Sequence, residues 1–455
     1  MKLFVAQAFV AAICCCFLFC GNNTSNVEAK LTAPPALPDY EGPTAGTIAY
    51  IRDETEIRLI NVDGTNDRRL WTFPGIQKPL GLYDLAWRPD GKELAFSSGH
   101  EAVHSYYETD IYTVRPDGTG FRKITNPPDH KGLENYKKGS VSIRVSNMQY
   151  TFRDAQSSAG VFFLYIVGAS EPQQITLPPG SSKTFVFKNV ADFGPNKLQA
   201  VVAVYGRYRW FMPGTDVVSG ANISAPEFVI TGDGIPYFGA YRPVWKSDGS
   251  AITYRDGMCV VKTTPLNPPA GAVYYQPLFG KDHPDGACIW DLGPTPALAD
   301  KILYSENDSD EGSGFYIMDA GGKHDAASRL TMFSNIRYQI ANDVKWLPDG
   351  SGFLYSFYKH NLETGKAESN IFKYDFKTRK VTQITKLREG FARTFTISPD
   401  GTRIVYERCR MGPGEDEGLV YNIQHLEDVD LWMINMDGSG DRLLVKNGFG
   451  PAWGR

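Results

Sequence analysis

Short stretches of alternating apolar and polar residues, separated by Asp-Gly turns, recur along most of this 455-residue chain. In residues 87–96, WRPDGKELAF, such a turn stands between two stretches, and residues 245–254, 346–355 and 397–406 repeat the arrangement. Glycine readily adopts the positive φ that a tight hairpin turn needs. Each segment therefore predicts a pair of antiparallel strands.

A second pair of stretches follows these hairpins. Residues 110–125 contain DIYTV, a Pro-Asp-Gly turn and then RKIT, and residues 315–331, 370–385 and 430–444 follow a similar pattern. The repeating unit is therefore four antiparallel strands, which is the composition of one β-propeller blade.

The number of these units predicts the architecture. Five whole units are expected, at residues 83–126, 241–279, 286–332, 342–386 and 393–446. Residues 47–70 supply three further strands, and residues 450–453 supply the first strand that this unit lacks. We therefore expect an all-β, six-bladed β-propeller whose two termini share one blade, which leaves no open sheet edge between the first and last blades.

The repeat is interrupted between Asn135 and Tyr237. Short strands without any helical pattern are predicted there, at residues 141–145, 160–165, 183–187 and 199–205. This pattern predicts an inserted β-sandwich-like domain. The predicted organisation is blades 1 and 2 at 45–134, the insert at 135–237, and blades 3 to 6 with the closing strand at 238–455.

The first residues predict export. Met1-Lys2 is followed by an uncharged apolar run to Cys20, so residues 1–20 are expected to be a signal peptide and residues 21–44 a polar tether. A retained membrane anchor is the alternative. Cys20 is a lipidation candidate because a polar tether follows it, although Phe17-Leu18-Phe19 are larger than a lipoprotein signal prefers. Beyond the signal, Cys259, Cys288 and Cys409 leave any disulfide open.

Charge and motifs narrow the function classes. The formal net charge is −4, so there is no basic field for nucleic acid. The chain contains no Gly-x-Ser-x-Gly, His-Glu-x-x-His or phosphate-loop motif. No cofactor is therefore predicted, and an enzymatic role is left open with binding preferred.

The repeat resembles a known family. The order of Trp-x-Pro-Asp-Gly, Asp-Ile-Tyr, Asp-Gly and Ile-Thr in residues 87–125 is similar to the TolB-like propeller repeat. This resemblance implies export and protein binding at a cell envelope. TolB itself has an α/β domain before its propeller, whereas here only residues 21–44 separate the signal from the first strand. The resemblance is thus to the repeat family and not to TolB itself.

The loops predict a binding face. Those between the second and third strands of a blade are expected to be long, at residues 99–109, 307–314, 358–369 and 408–429. Irregular loops on a rigid frame commonly carry binding residues. The candidate residues, which include histidines of the neighbouring links between blades, are His100, His104, Tyr106, Tyr107, His130, His283, Tyr358, His360, Tyr421 and His425. The alternative is that loops simply hold polar side chains.

Metal binding is not predicted. Asp308 and Asp310 offer a weak calcium candidate, but the run lacks the EF-hand spacing and its closing glutamate. His100 and His104 would share a face only in a helix, and they fall in a predicted hairpin loop.

Together these features predict a protein-binding or scaffold module at the cell envelope, acting through the long-loop face. The alternative is a carbohydrate-active enzyme or a glycan-binding protein that uses the same face. The expected location is periplasmic or extracellular, with a membrane contact only through a lipid on Cys20.

Overall fold

The computed structural model describes most of the predicted strands. The described residues are 46–72, 81–101, 105, 107–125, 134–147, 161–166, 170, 172–194, 199–205, 208–231, 235–236, 239–255, 261–266, 276–277, 289–308, 312–319, 329–332, 339–361, 366–388, 390–409 and 429–454.

The repeats form four-stranded antiparallel units, each of which is one blade. Four of these units are separate sheets, and the last two are joined into one eight-stranded sheet by the parallel pair Ser369 and Phe391. Blade 1 begins with β1 (Thr47–Arg52), β2 (Glu56–Asn61) and β3 (Arg68–Thr72). Blade 2 comprises β4 (Leu82–Trp87), β5 (Leu94–Ser98), β6 (Asp110–Val114) and β7 (Arg122–Lys123).

The insert follows blade 2 and contains two sheets. Its strands are β8 (Lys138–Asn147), β9 (Val161–Ile166), β10 (Gln173–Thr176), β11 (Ser182–Ala191), β12 (Gln199–Tyr205), β13 (Tyr208–Thr215), β14 (Asn222–Ser224), β15 (Phe228–Ile230) and β16 (Ile235–Pro236). The larger sheet has the order β10-β9-β12-β13-β16, and the smaller one has β11-β8-β14 with β15 also paired to β8. Phe162, Val201 and Trp210 meet Ile143 and Phe187 in the core between the sheets, so the insert is a β-sandwich.

The remaining strands complete the propeller. Blade 3 is β17 (Tyr241–Trp245), β18 (Ala251–Arg255), β19 (Val261–Pro265) and β20 (Gln276–Pro277); blade 4 is β21 (Ile289–Leu292), β22 (Lys301–Asp308), β23 (Gly312–Asp319) and β24 (Arg329–Met332); blade 5 is β25 (Gln339–Trp346), β26 (Gly352–Asn361), β27 (Lys366–Asp375) and β28 (Val381–Gln383); blade 6 is β29 (Phe391–Ile397), β30 (Arg403–Cys409), β31 (Val429–Asn435) and β32 (Arg442–Val445). The last strand, β33 (Phe449–Trp453), returns to blade 1. None of the helical segments within the described ranges has the length and apolarity to span a membrane.

The pairing of β33 with β1 closes blade 1. Ile48 lies opposite Trp453 and Ala49 lies opposite Ala452. The first strands of the six blades then contact one another in the cyclic order β33, β4, β17, β21, β25, β29 and β33 again. The predicted all-β propeller with a shared blade is therefore confirmed, and the described residues contain six four-stranded units.

The hydrophobic core is divided among the junctions between blades. Trp87 packs with Phe449 and Leu59 between blades 1 and 2, and Trp346 packs with Phe315 and Leu303 between blades 4 and 5. The repeated tryptophan is thus a packing residue, because a large flat ring fills the wedge between two twisted sheets.

The insert packs against the propeller through side-chain contacts. Phe211, on the face of the larger sheet that points away from the sandwich core, packs against a cluster between blades 2 and 3 that contains Tyr107 and Tyr254. On the same face, Arg209 donates a 2.6 Å hydrogen bond to the hydroxyl of the buried Tyr165. The larger sheet therefore has buried side chains on both faces.

Two of the predicted loops are shorter than expected. In blade 4 the hairpin of β22 and β23 continues to the pair Asp308 and Gly312, and in blade 5 that of β26 and β27 continues to Asn361 and Lys366. The expectation of long irregular loops at 307–314 and 358–369 is therefore wrong. Backbone pairing extends these hairpins through sequence that lacks apolar alternation.

Candidate binding cavity

Two residues of the predicted loop face have described side chains. His100 places Nδ1 2.8 Å from Ser98 Oγ, and its ring centre lies 4.5 Å from that of Tyr112. Tyr107 is only 1% exposed, and its hydroxyl lies 3.4 Å from that of Tyr254. Both side chains are thus packed into the propeller, and Tyr107 is not part of an open surface.

The other predicted site residues contribute no described side chains. Tyr358 and His360 lie on strand β26, where they face Ser369 and Ala367 of β27. Asp308 is the final residue of β22. Those that lie outside the described residues are Cys20, His104, Tyr106, His130, His283, Asp310, Tyr421 and His425. Within the described ranges no group of three or more metal-ligating side chains comes together.

The first strands of the blades surround a central cavity of about 250 Å³. Its walls include the ends of these strands and the first residues of the turns that follow, such as Pro89, Ser247, Pro348 and Pro399. The cavity therefore opens toward the face that carries the tight turns. The insert joins the propeller between β7 and β17, at the opposite ends of the blades.

One position of the repeat forms a ring around this cavity. In every blade, the tryptophan of the first strand or its equivalent pairs with a residue near the start of the second strand. The position that forms the ring is the residue immediately before it. We call these six residues the central ring. From blade 1 to blade 6 they are Ala452, Ala86, Val244, Asp291, Lys345 and Thr396.

The central ring is chemically divided. Blades 1 to 3 contribute two alanines and a valine, whereas blades 4 to 6 contribute a carboxylate, an ammonium and a hydroxyl. Asp291 and Lys345 thus place opposite charges at equivalent positions of two adjacent blades. The polar half is therefore the candidate site.

Arg242 forms the floor beneath the ring. It lies two residues before Val244 in blade 3, and its Nη2 contacts the Asp343 carboxylate of blade 5 in a close ion pair. The same guanidinium donates to the carbonyl oxygens of Trp290 (3.1 Å) and Val344 (3.3 Å). Arg242 thus joins three successive blades.

The backbone at this level is irregular. Arg242 has φ 53° and Asp84 has φ 48°, and Gly450 occupies the equivalent place in blade 1 with φ 60°. All three stand at a shift in register between the first two strands of their blades. Non-glycine residues in this region are strained, and the hydrogen bonds of Arg242 hold it there.

Every junction between neighbouring blades is tied by a hydrogen bond near the cavity. In order from blades 1–2 to blades 6–1 these bonds are Trp87 Nε1 to Ala452 O (3.2 Å), Arg242 N to Asp84 Oδ2 (2.9 Å), Arg242 Nε to Trp290 O (3.1 Å), Trp346 N to Asp291 Oδ2 (2.9 Å), Phe395 N to Asp343 Oδ2 (3.1 Å) and Gly450 N to Glu407 Oε1 (2.6 Å). The wall of the cavity is therefore a rigid, preorganised ring.

Asp291 is a poorly compensated carboxylate of the cavity wall. Burial raises the pKa of Asp291, and the Asp343 carboxylate adds to this increase. The Lys345 ammonium, the Trp346 amide and Arg242 act in the opposite direction without cancelling it. The charged form of Asp291 is thus short of favourable partners.

Comparisons with known proteins support no closer assignment. No protein-family model matches the chain, and no curated protein matches its sequence. Among solved structures it is similar to a putative TolB from Agrobacterium tumefaciens, at 14% identity and TM-score 0.33, over 89% of this chain and 90% of that one.

Two further solved structures are similar over much of the chain. A chain of a nidogen/laminin complex has 7% identity and TM-score 0.41, over 89% of this chain and 97% of that one. A GH74 enzyme from Niastella koreensis has 9% identity and TM-score 0.36, over 80% of this chain and 46% of that one. The assignment as a propeller rests on the strand pairing described above.

Proposed function

We propose that this chain is an exported, TolB-like β-propeller that acts as a protein-binding module at the cell envelope and receives a segment of its partner in the central cavity. The observation that carries this proposal is the asymmetric central ring, which places Asp291 and Lys345 in the wall of an otherwise uniform repeat.

The size of the cavity supports a protruding segment as ligand. Its volume of about 250 Å³ lies near the lower end of the range of roughly 300–1,000 Å³ that is usual for small-molecule sites. One or two anchoring side chains fit such a space, and hot spots of protein interfaces lie in pockets of this kind. The junction hydrogen bonds keep the pocket formed before binding, which lowers the entropic cost of association.

The position of the insert supports approach from the turn face. The insert packs on the propeller at blades 2 and 3 and leaves from the opposite ends of the strands. A partner that reaches Ser247 or Pro348 therefore meets only short turns. Export depends on the apolar run that ends at Cys20, and the loop face remains a second contact surface in this proposal.

Site-specific photo-crosslinking tests this function. A photoreactive phenylalanine at Ser247, on the cavity wall, is compared with one at Val381, which is 44% exposed on the fourth strand of blade 5. In envelope extract of the source organism, we expect a discrete protein adduct from position 247 and none from position 381. Ala86→Trp, which fills the cavity, should remove that adduct while the thermal unfolding of the protein stays unchanged. Equal adducts at both positions, or an adduct that survives Ala86→Trp, would overturn the proposed function.

A further inference from the structure

Resting on the function proposed above, we propose that the central cavity selects a partner segment that presents an acidic and a basic side chain next to each other. The acidic group would bind at Lys345 and the basic group at Asp291. These two ring residues stand at equivalent positions on the first strands of blades 4 and 5, which contact each other.

Asp343 and Arg242 of the wall already have charged partners. The Asp343 carboxylate is used on both oxygens, by Arg242 and by the amides of Val344 and Phe395. Arg242 uses its Nε and Nη2 donors on Asp343 and two carbonyl oxygens. These groups hold the frame together and leave little capacity for a ligand.

Asp291 and Lys345 differ from them. Counting only described residues, Asp291 accepts one hydrogen bond, from the Trp346 amide, and Lys345 has no ion pair within 4.0 Å. Each side chain is half-buried in the cavity wall. The two charges act on each other but form no ion pair within 4.0 Å, so each gains from an opposite charge that arrives with a ligand.

The indole of Trp346 supplies an unpartnered donor in the wall of the cavity. This residue is 5% exposed and lines the cavity, yet its Nε1 has no hydrogen-bond partner among the residues that the structure describes. In blades 2 and 3 the equivalent nitrogens of Trp87 and Trp245 donate to carbonyl oxygens of the preceding blade. Trp346 thus adds a donor without a partner among the described residues at the junction of blades 4 and 5.

The opposite half of the ring leaves room for the rest of the segment. Ala452, Ala86 and Val244 are small, and Gly450 below them has no side chain. Aliphatic parts of an acidic and a basic side chain would pack on this half while their charged ends meet Lys345 and Asp291.

A charge-matched peptide panel tests the proposal. The probes are the acetylated and amidated peptides Gly-Lys-Glu-Gly, Gly-Lys-Lys-Gly, Gly-Glu-Glu-Gly and Gly-Gln-Gln-Gly, and binding is followed by the NMR shifts of the indole protons in the full chain. We expect the mixed-charge peptide to bind about tenfold more tightly than each of the others.

Variants assign the preference to the two ring residues. Asp291→Asn keeps an acceptor for the Trp346 amide, and Lys345→Met keeps the aliphatic chain, so both should fold. Each should reduce the affinity for Gly-Lys-Glu-Gly to that for Gly-Gln-Gln-Gly. The matched controls are Asp216→Asn and Lys446→Met, since both residues are exposed, and these variants should retain wild-type affinity.

The outcomes separate this inference from the proposed function. Binding that is independent of peptide charge but lost in Ala86→Trp would overturn the mixed-charge preference and leave a binding cavity. A preference for a single sign of charge, an Asp291→Asn variant that behaves as wild type, or no binding of any peptide would also overturn the inference. The crosslinking at position 247 then decides the proposed function by itself.

Discussion

At the scale of single residues, the turn aspartates show how the repeat is held. Asp400 accepts hydrogen bonds from Ser398 Oγ (2.5 Å) and from the amide and hydroxyl of Thr402 (3.0 and 2.8 Å). The next residue, Gly401, has φ 70°, the conformation that the turn requires. The aspartates at 90, 248 and 349 accept the corresponding amide hydrogen bonds in their own turns, so the repeated motif is structural.

The hydrogen bonds of Asp400 predict a pH dependence. Chiefly through the Ser398 hydroxyl, they lower the pKa of Asp400 from 3.8 to about 2. A depressed folded-state pKa contributes stability above about pH 4 that is lost as the pH falls toward 2. We expect Asp400→Ala to cost about 1 kcal/mol at pH 7 and much less at pH 2. Urea unfolding at both pH values measures this, and an equal cost at both would contradict it.

Two substitutions of Arg242 separate the cost of its strained backbone conformation from the contribution of its side-chain hydrogen bonds and ion pair. Arg242→Ala leaves the Asp343 carboxylate, which is 2% exposed, without its counter-ion, and a loss of about 3 kcal/mol is expected. Arg242→Gly loses the same contacts but accepts φ 53° without strain, so it should be about 1 kcal/mol more stable than the alanine variant. Chemical denaturation of the two variants gives the difference. An alanine variant as stable as the glycine variant would show that the strain is absent.

At the scale of strands, Trp245 and Trp346 occupy equivalent positions in their blades but differ in the hydrogen bonding of their indole nitrogens. Trp245 Nε1 donates a 3.0 Å hydrogen bond to Ala86 O, whereas Trp346 Nε1 has no partner among the described residues. Trp245→Phe should therefore lower the free energy of unfolding by about 1 kcal/mol more than Trp346→Phe. Thermal unfolding of both variants checks the order. Equal costs for the two variants would contradict the assignment of Trp346 Nε1 as an unpaired donor.

The sequence indicates strands best where apolar alternation and a turn signal coincide. The hairpins at 87–96 and 397–406 were predictable because an Asp-Gly turn joins two such stretches. The extensions of β22 and β26 were not, since the backbone pairing continues at Asn307 and Lys359 without apolar alternation in the sequence. Hydrogen bonding along a hairpin can continue past the point where side chains bury anything.

The central ring could not be predicted from the sequence for a related reason. The central ring is found by aligning each blade on its tryptophan, but blade 4 has Leu292 at that place, opposite Ile302. In blade 4 no tryptophan follows Asp291 to mark it as a ring position in the sequence. Its proximity to Lys345 follows only from the strand register. The loop histidines were prominent in composition, yet His100, the one with a described side chain, packs against Tyr112.

At the scale of the whole molecule, stability depends on the pairing of β33 with β1. Trp453 lies opposite Ile48, is 6% exposed and packs between blades 6 and 1. We expect Trp453→Ala to cost about 4 kcal/mol, because it removes a large buried ring at this junction. Val381→Ala on the outer strand of blade 5 is the control and should change stability by less than about 0.5 kcal/mol. A similar melting temperature for the two variants would contradict this view of the closure.

The same pairing has a consequence during translation. Residues 449–453 leave the ribosome after every other strand of the ring, so β1 remains with one bare backbone edge while five blades and the insert are already made. Such an edge readily pairs with another chain. Chains that lack β33 are therefore expected to exchange strands with one another, and this exposure ends only when the last strand pairs with β1.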